Sequence, residues 1–271
     1  MNPLISLTII KIVISVVIVF VLAEISKRVN PQIAGMISGI PLGTGLSIYF
    51  ITMEQGMDFT LSGIPWGIAG LAAALIFCLV YLLISRTLTF NSKLIEILIS
   101  SAAGIIAFVM IGSLIFLMDI DVALASSIFI LVFIINLILM NKLIGKQEKS
   151  TGSKSKGIHY FIRGITVGMI LVLITGMASL VGSKWANILS SFPSTLFPLI
   201  VVLHYEDDHR LFPYVIYGFS YSIATLFVFY IAYAYLIPIY GLNMGYFIIY
   251  VICAAFLYLF QKLRVGFGLI R

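Results

Sequence analysis

Charge is what this sequence has least of. Asp, Glu, Lys and Arg make up only 10% of its 271 residues, while 62% are hydrophobic; a soluble globular domain carries roughly 25% charged residues. No sizeable soluble domain fits into such a chain, and its length suffices for about nine or ten membrane spans of about 20 residues. Cysteine is as sparse. Cys78 and Cys253 both lie inside apolar runs, where they read as small core residues and not as a disulfide pair or a metal site. Also missing are the short patterns of familiar enzymes: there is no HExxH, no GxSxG and no Gly-rich phosphate loop. The expectation is therefore no enzyme, no cofactor and no resident metal.

The formal charge of +6 could suggest nucleic acid, but the basic residues sit in short connections between apolar runs. That is where membrane proteins place their topology determinants, so no nucleic-acid partner is expected. Apolar runs fall at 3–25, 32–53, 64–85, 94–117, 122–142, 159–181, 185–205, 212–237 and 241–261, which predicts nine transmembrane helices. The first run follows Met-Asn-Pro with no basic segment before it and no small-residue cleavage site after it, so it reads as a retained span. The short joints Met118–Asp121 and Pro238–Gly241 predict antiparallel hairpins between the fourth and fifth helices and between the eighth and ninth.

Loop charges alternate. The first, third and fifth connections carry Lys27, Arg28, Arg86, Lys93, Lys142, Lys146, Lys149, Lys154 and Lys156, whereas the second and fourth carry Glu54, Asp58, Asp119 and Asp121 and no base. Basic loops stay in the cytoplasm, which predicts a multi-pass protein of the cell membrane with its N-terminus outside and its C-terminus, with Lys262, Arg264 and Arg271, inside. The Gly/Ser/Lys-rich stretch 143–158 has the composition of a flexible linker. It divides the chain into a first membrane unit with an extra crossing helix (1–142) and a second unit (159–271).

Two of the nine runs are interrupted in the same way. Shifted by 152 positions, "AGMISGIPLGTGLSIYFITMEQG" (34–56) overlies "ANILSSFPSTLFPLIVVLHYEDD" (186–208) without a gap, with Ala34/Ala186, Ser38/Ser190, Pro41/Pro193, Ile48/Ile200 and Glu54/Glu206 identical. The shared proline and the acid closing each run point to an internal duplication of a four-helix unit. The fifth span is then an extra crossing that inverts the second copy, a 4+1+4 inverted repeat with broken second and seventh helices, as in many secondary transporters. Pro41 and Pro193 lie about nine and eight residues into their runs. At about 1.5 Å per residue both reach the middle of a hydrocarbon core about 30 Å thick.

A shared site would include Ser38, Pro41, Thr44, Ser190, Pro193 and Thr195, with Ser194 beside them. Packing is the competing role, because small residues bring membrane helices close and hydroxyls re-satisfy kinked backbone. Lys11, within "LTIIKIVIS", is a candidate counter-ion for an anionic substrate or snorkels to the outer headgroups. Glu24, Glu96 and Arg163 are expected at helix ends near the interface, and Asn136 in an interhelical hydrogen bond. "HYEDDHR" (204–210) combines acids with histidine, as a divalent-metal site would. No second acidic cluster completes it, so it reads as a solvated helix end.

The stretch "SSFPSTLFPLIVVLHYEDD", a helix opening in a proline-centred break and closing with His-Tyr and acids, resembles the small GlpM-type bacterial inner-membrane proteins. The first half has Thr52-Met53 where the second has His204-Tyr205. The resemblance implies a duplicated and fused form of such a four-helix unit and transfers no catalytic residue. The function expected is that of a secondary transporter or flippase, moving a small solute or a lipid-linked intermediate by alternating access. The rival reading is a non-transporting membrane subunit that scaffolds or assists a partner enzyme. Lipid bilayer and substrate are the partners expected, and a homodimer is compatible with both readings.

Overall fold

A computed structural model describes residues 39–88, 92–144, 157–207 and 211–266, together with positions 13, 14, 17, 33, 36 and 37. It is all-helical, without a strand among these residues, as a chain surrounded by lipid requires: a helix satisfies its backbone within one segment. Seven helices follow in order: α1 (Leu42–Gln55), α2 (Met57–Thr87), α3 (Lys93–Leu117), α4 (Val122–Leu143), α5 (Gly157–Ser190), α6 (Leu196–Asp207) and α7 (Phe212–Gly266). Five stretches are long and apolar enough to cross a membrane: Met57–Thr87, Lys93–Leu117, Val122–Leu143, Gly168–Ser190 and Phe212–Lys262.

The described residues thus give seven helices where nine were expected. Most of the run at 3–25 lies outside them, as do Lys11, Glu24, Ser38, most of the basic linker and the side chain of Arg163. Elsewhere the difference is one of punctuation. The sixth run and the first part of the seventh together make α5, the seventh is divided at Ser191–Thr195, and the eighth and ninth run on as α7. Inside α5 and α7 a single residue still breaks the helix: Gly182 (φ 77°, ψ 169°) and Gly241 (φ 70°, ψ 175°). That backbone region is closed to residues with a Cβ. At Gly241 the chain folds back on itself, with the rings of Tyr233 and Tyr246 5.9 Å apart and Cys253 Sγ 3.8 Å from the Thr225 carbonyl oxygen. The hairpin expected there is present.

The other expected hairpin is not tight. Asp121 caps α4 by accepting a 2.8 Å hydrogen bond from the Leu124 amide, and α3 and α4 both pack on α2 more than on one another. The reason lies in α2 itself, whose "GIAGLAAALIF" (67–77) is almost wholly buried; small side chains let three neighbours approach its backbone. Away from α2, Leu98, Leu114, Leu117 and Leu131 are exposed, which places large apolar groups where lipid would meet them.

Helix ends distant in sequence meet through polar contacts. Arg86 donates to the Leu143 carbonyl at 2.6 Å, Lys93 to that of Tyr205 at 3.0 Å, and Tyr217 to Asn141 Oδ1 at 2.6 Å. At the opposite ends Tyr49 donates to Asn243 Oδ1 at 2.9 Å, and Lys184 Nζ lies 4.1 Å from the centre of the Trp66 ring.

Candidate functional site

The two interruptions have the same backbone geometry. At the first, Gly39 N–H donates to the Met36 carbonyl (3.0 Å), Ile40 to Ile37 (3.0 Å), Leu42 to Ile40 (2.6 Å) and Gly45 to Pro41 (2.9 Å). At the second, Ser191 donates to Ile188 (3.1 Å), Phe192 to Leu189 (3.0 Å), Ser194 to Phe192 (2.7 Å) and Phe197 to Pro193 (2.8 Å). Every donor and acceptor of the second set stands 152 positions after its counterpart. The cause is local. Proline has no N–H and its ring clashes with the carbonyl four residues back, so the preceding helix closes in a tight turn and a new one starts after the proline.

The breaks also touch. Gly43 lies against Ser194 and against Thr195, its own counterpart; a Cβ on Gly43 would be 3.2 Å from Thr195 Cγ2 and would overlap Ser194 Oγ. Further contacts come as an exchanged pair. Gly39 of the first break packs on Ser222 of α7, and Ser191 of the second break packs on Gly70 of α2. Gly39 corresponds to Ser191, and Gly70 to Ser222, so each contact sets a glycine under a serine. Pro41, Thr44, Ser190, Pro193, Ser194 and Thr195 are all buried at this level. Of the expected set, Thr195 is brought against the first break at Gly43, while Ser38 and Lys11 fall outside the described residues.

The freed backbone groups were expected to face a cavity; several carbonyls are instead occupied by buried hydroxyls. Tyr250 donates to the Pro41 carbonyl at 2.9 Å and Tyr246 to that of Gly45 at 3.0 Å. Ser190 Oγ donates to Asn187 at 2.7 Å and lies 2.7 Å from the Tyr230 hydroxyl, and Ser191 Oγ donates to Ile188 at 2.6 Å. The carbonyls of Pro41 and Ile188 also accept the Gly45 and Ser191 amides, so the hydroxyls give them a second donor at a place away from water.

A second polar feature joins α2, α3 and α6. The Tyr81 hydroxyl is 3.0 Å from His204 Nδ1, and His204 Nε2 is 3.0 Å from Glu96 Oε1. Tyr81 and His204 are fully buried and Glu96 is 7% exposed. Phe212 stacks on the imidazole with ring centres 4.3 Å apart. Glu96 is thus not interfacial and His204 is not part of a solvated end: both turn inward, because α6 packs against α3 and α7 and its last turn meets the Tyr81 side chain of α2. The corresponding place in the first half holds Thr52, whose Oγ1 is 2.5 Å from the hydroxyl of Tyr233 and 3.1 Å from Thr60 Oγ1. Tyr233 is the counterpart of Tyr81 and Thr52 that of His204. One end carries titratable groups, the other hydroxyls alone.

Asn136 is buried, and its Oδ1 has no hydrogen-bond partner among the described residues. No cluster of three or more His, Cys, Asp or Glu that could hold a metal occurs among them. Comparison with protein-family models, with curated proteins and with solved structures gives no match for this chain.

Proposed function

We propose that this chain is a secondary transporter or flippase that moves a small solute or a lipid-linked intermediate by alternating access. In this reading it is an inverted repeat of GlpM-like four-helix units in the cell membrane, with the N-terminus outside, α4 as the extra crossing and the paired breaks as the moving parts. The observation that carries it is the recurrence of the same four backbone hydrogen bonds at a constant spacing. Two copies of one unit, packed against each other in inverted orientation, can exchange conformations and so open to either side in turn. In such a cycle Gly43 separates from Ser194 and Thr195, and the hydroxyls of Tyr246 and Tyr250 release carbonyls that a substrate then meets.

The test is flux into proteoliposomes across a panel of solutes, combined with a cross-link. Gly43→Cys with Thr195→Cys, in a background of Ser194→Gly, which removes the Oγ that a Cβ on Gly43 would overlap, and of Cys78→Ala and Cys253→Ala, should be joined by oxidation, and joining should stop flux that reduction restores. Flux unaffected by the cross-link would remove the role of the breaks. One observation favours the rival reading of a non-transporting subunit: Gly39, Gly43 and Gly70 leave no room for a Cβ, as a rigid scaffold requires. A scaffold tolerates the cross-link with its assisting activity intact and moves no solute.

A further inference from the structure

We propose that Thr52, Thr60, Asn187 and Tyr233, where α1, α2, α5 and α7 meet, form a binding site for a monovalent cation. In the transport cycle this would be the coupling ion; that clause rests on the transporter reading, the site itself on its hydrogen bonding. Thr52 Oγ1 of α1 lies 2.5 Å from the Tyr233 hydroxyl of α7 and 3.1 Å from Thr60 Oγ1 of α2. Asn187 of α5 joins them through Nδ2, which donates to the Thr60 carbonyl at 3.3 Å and to that of Ser183 at 3.0 Å. All four side chains are buried.

Here oxygens outnumber the hydrogens that could serve them. Thr52 Oγ1 also donates to the Ile48 carbonyl at 2.7 Å, and Thr60 Oγ1 to that of Gly56 at 3.2 Å. Three hydroxyl hydrogens therefore serve four contacts. With both threonine hydrogens on carbonyls and that of Tyr233 on Thr52, the approach of Thr52 to Thr60 sets lone pair against lone pair. Both amide hydrogens of Asn187 are committed to carbonyls, and its Oδ1 has no hydrogen-bond partner among the described residues. One turn further along α5, Ser190 Oγ, the Tyr230 hydroxyl and the Asn187 carbonyl make three contacts with two hydrogens.

A cation is the guest that suits such a place, because it meets several lone pairs at once and asks for no acceptor of its own. Every oxygen here is a neutral hydroxyl, amide or carbonyl. Calcium and magnesium draw on carboxylates, whereas neutral oxygens alone can replace the hydration shell of a monovalent ion. The architecture does not by itself demand these residues: at the spacing of 152, Asn187 and Thr60 correspond to Gly35 and Phe212. Asn187 stands one turn before the break at Ser191, so a bound ion would lie beside the proposed moving parts.

The experiment uses the full-length protein in lipid nanodiscs, with sodium, potassium and methylammonium chlorides compared with choline chloride at equal ionic strength. Binding of radioactive sodium, and its displacement by the other two cations, separates a metal ion from an ammonium group. A ligand that binds only the folded state stabilises it by mass action, so the melting temperature should rise in the salt that binds and not in choline chloride. Thr52→Val and Tyr233→Phe should each raise the half-saturating concentration at least tenfold and abolish the rise. Cooperative melting of either variant in choline chloride shows that its fold is kept. Ser85→Ala, which removes a buried hydroxyl bonded to the Leu82 carbonyl, should change neither reading. No saturable binding together with an equal melting temperature in all four salts would overturn the proposal, as would binding unchanged in both variants. If a cation binds and no solute moves along its gradient, the transporter reading falls and the cation site stands. Solute flux at full rate in choline chloride, with no cation bound, would leave the transporter reading and remove the site.

Discussion

Tyr81 on α2 and His204 on α6 stand 123 positions apart and meet through a 3.0 Å hydrogen bond. The same relation recurs, with each position shifted by 152, between Tyr233 and Thr52. In both, the tyrosine belongs to one half of the chain and its partner to the other. The halves are therefore interlocked, and neither completes its polar contacts alone.

Exchange of small residues tests that interlock. Gly70→Ser should destabilise the protein by about 1–3 kcal/mol, the usual cost of overfilling a packed interior, because its Cβ would meet Ser191. Ser191→Gly placed beside it should recover more than half of the loss. A thermal-unfolding double-mutant cycle in detergent reads the coupling; strictly additive effects would mean that the two residues do not share the contact.

The loop charges make a topological prediction. Cysteines introduced at Gly56 and at Gly152, in a background of Cys78→Ala and Cys253→Ala, should react with an impermeant maleimide from opposite sides of the membrane. Reaction from one side only would end the inverted-repeat reading.

Backbone conformation predicts opposite signs for two glycine substitutions. Gly241→Ala should cost about 1–3 kcal/mol, because alanine is strained at φ 70° and ψ 175°. Gly176→Ala, in the helical part of α5 with nothing within 4 Å of an added Cβ, should stabilise by about 0.5–1 kcal/mol. Melting temperatures of the two variants check this pair.

The prolines should matter more for function than for folding. Pro41→Ala or Pro193→Ala lets the helix regularise, and the expected result is altered flux with near-wild-type yield. Tyr250→Phe should cost about 0.5–1.5 kcal/mol, the usual net worth of one hydrogen bond, because the Pro41 carbonyl loses the hydroxyl and keeps its bond from the Gly45 amide. Equal losses of yield and flux in the proline variants would make the breaks structural only.

What the sequence by itself determined is what one residue imposes on its own backbone or what composition imposes on solvent. Scarce charge and long apolar runs set an all-helical membrane chain. Pro41 and Pro193 set the two interruptions, since a missing N–H acts wherever proline stands, and the spacing of 152 between them was readable before any contact was. Gly241 was readable as a reversal because a short joint between two long runs permits little else. Helix count was less legible, since a glycine at positive φ and a proline turn both interrupt a run without separating its ends in sequence. Tertiary structure decided the rest. Which face of α2 meets which neighbour depends on glycines fitting under serines more than a hundred positions away. Glu96 and His204 read alone as helix-end charges; 108 positions separate them, and only the packing of α6 against α3 and α7 turns both away from water and onto each other.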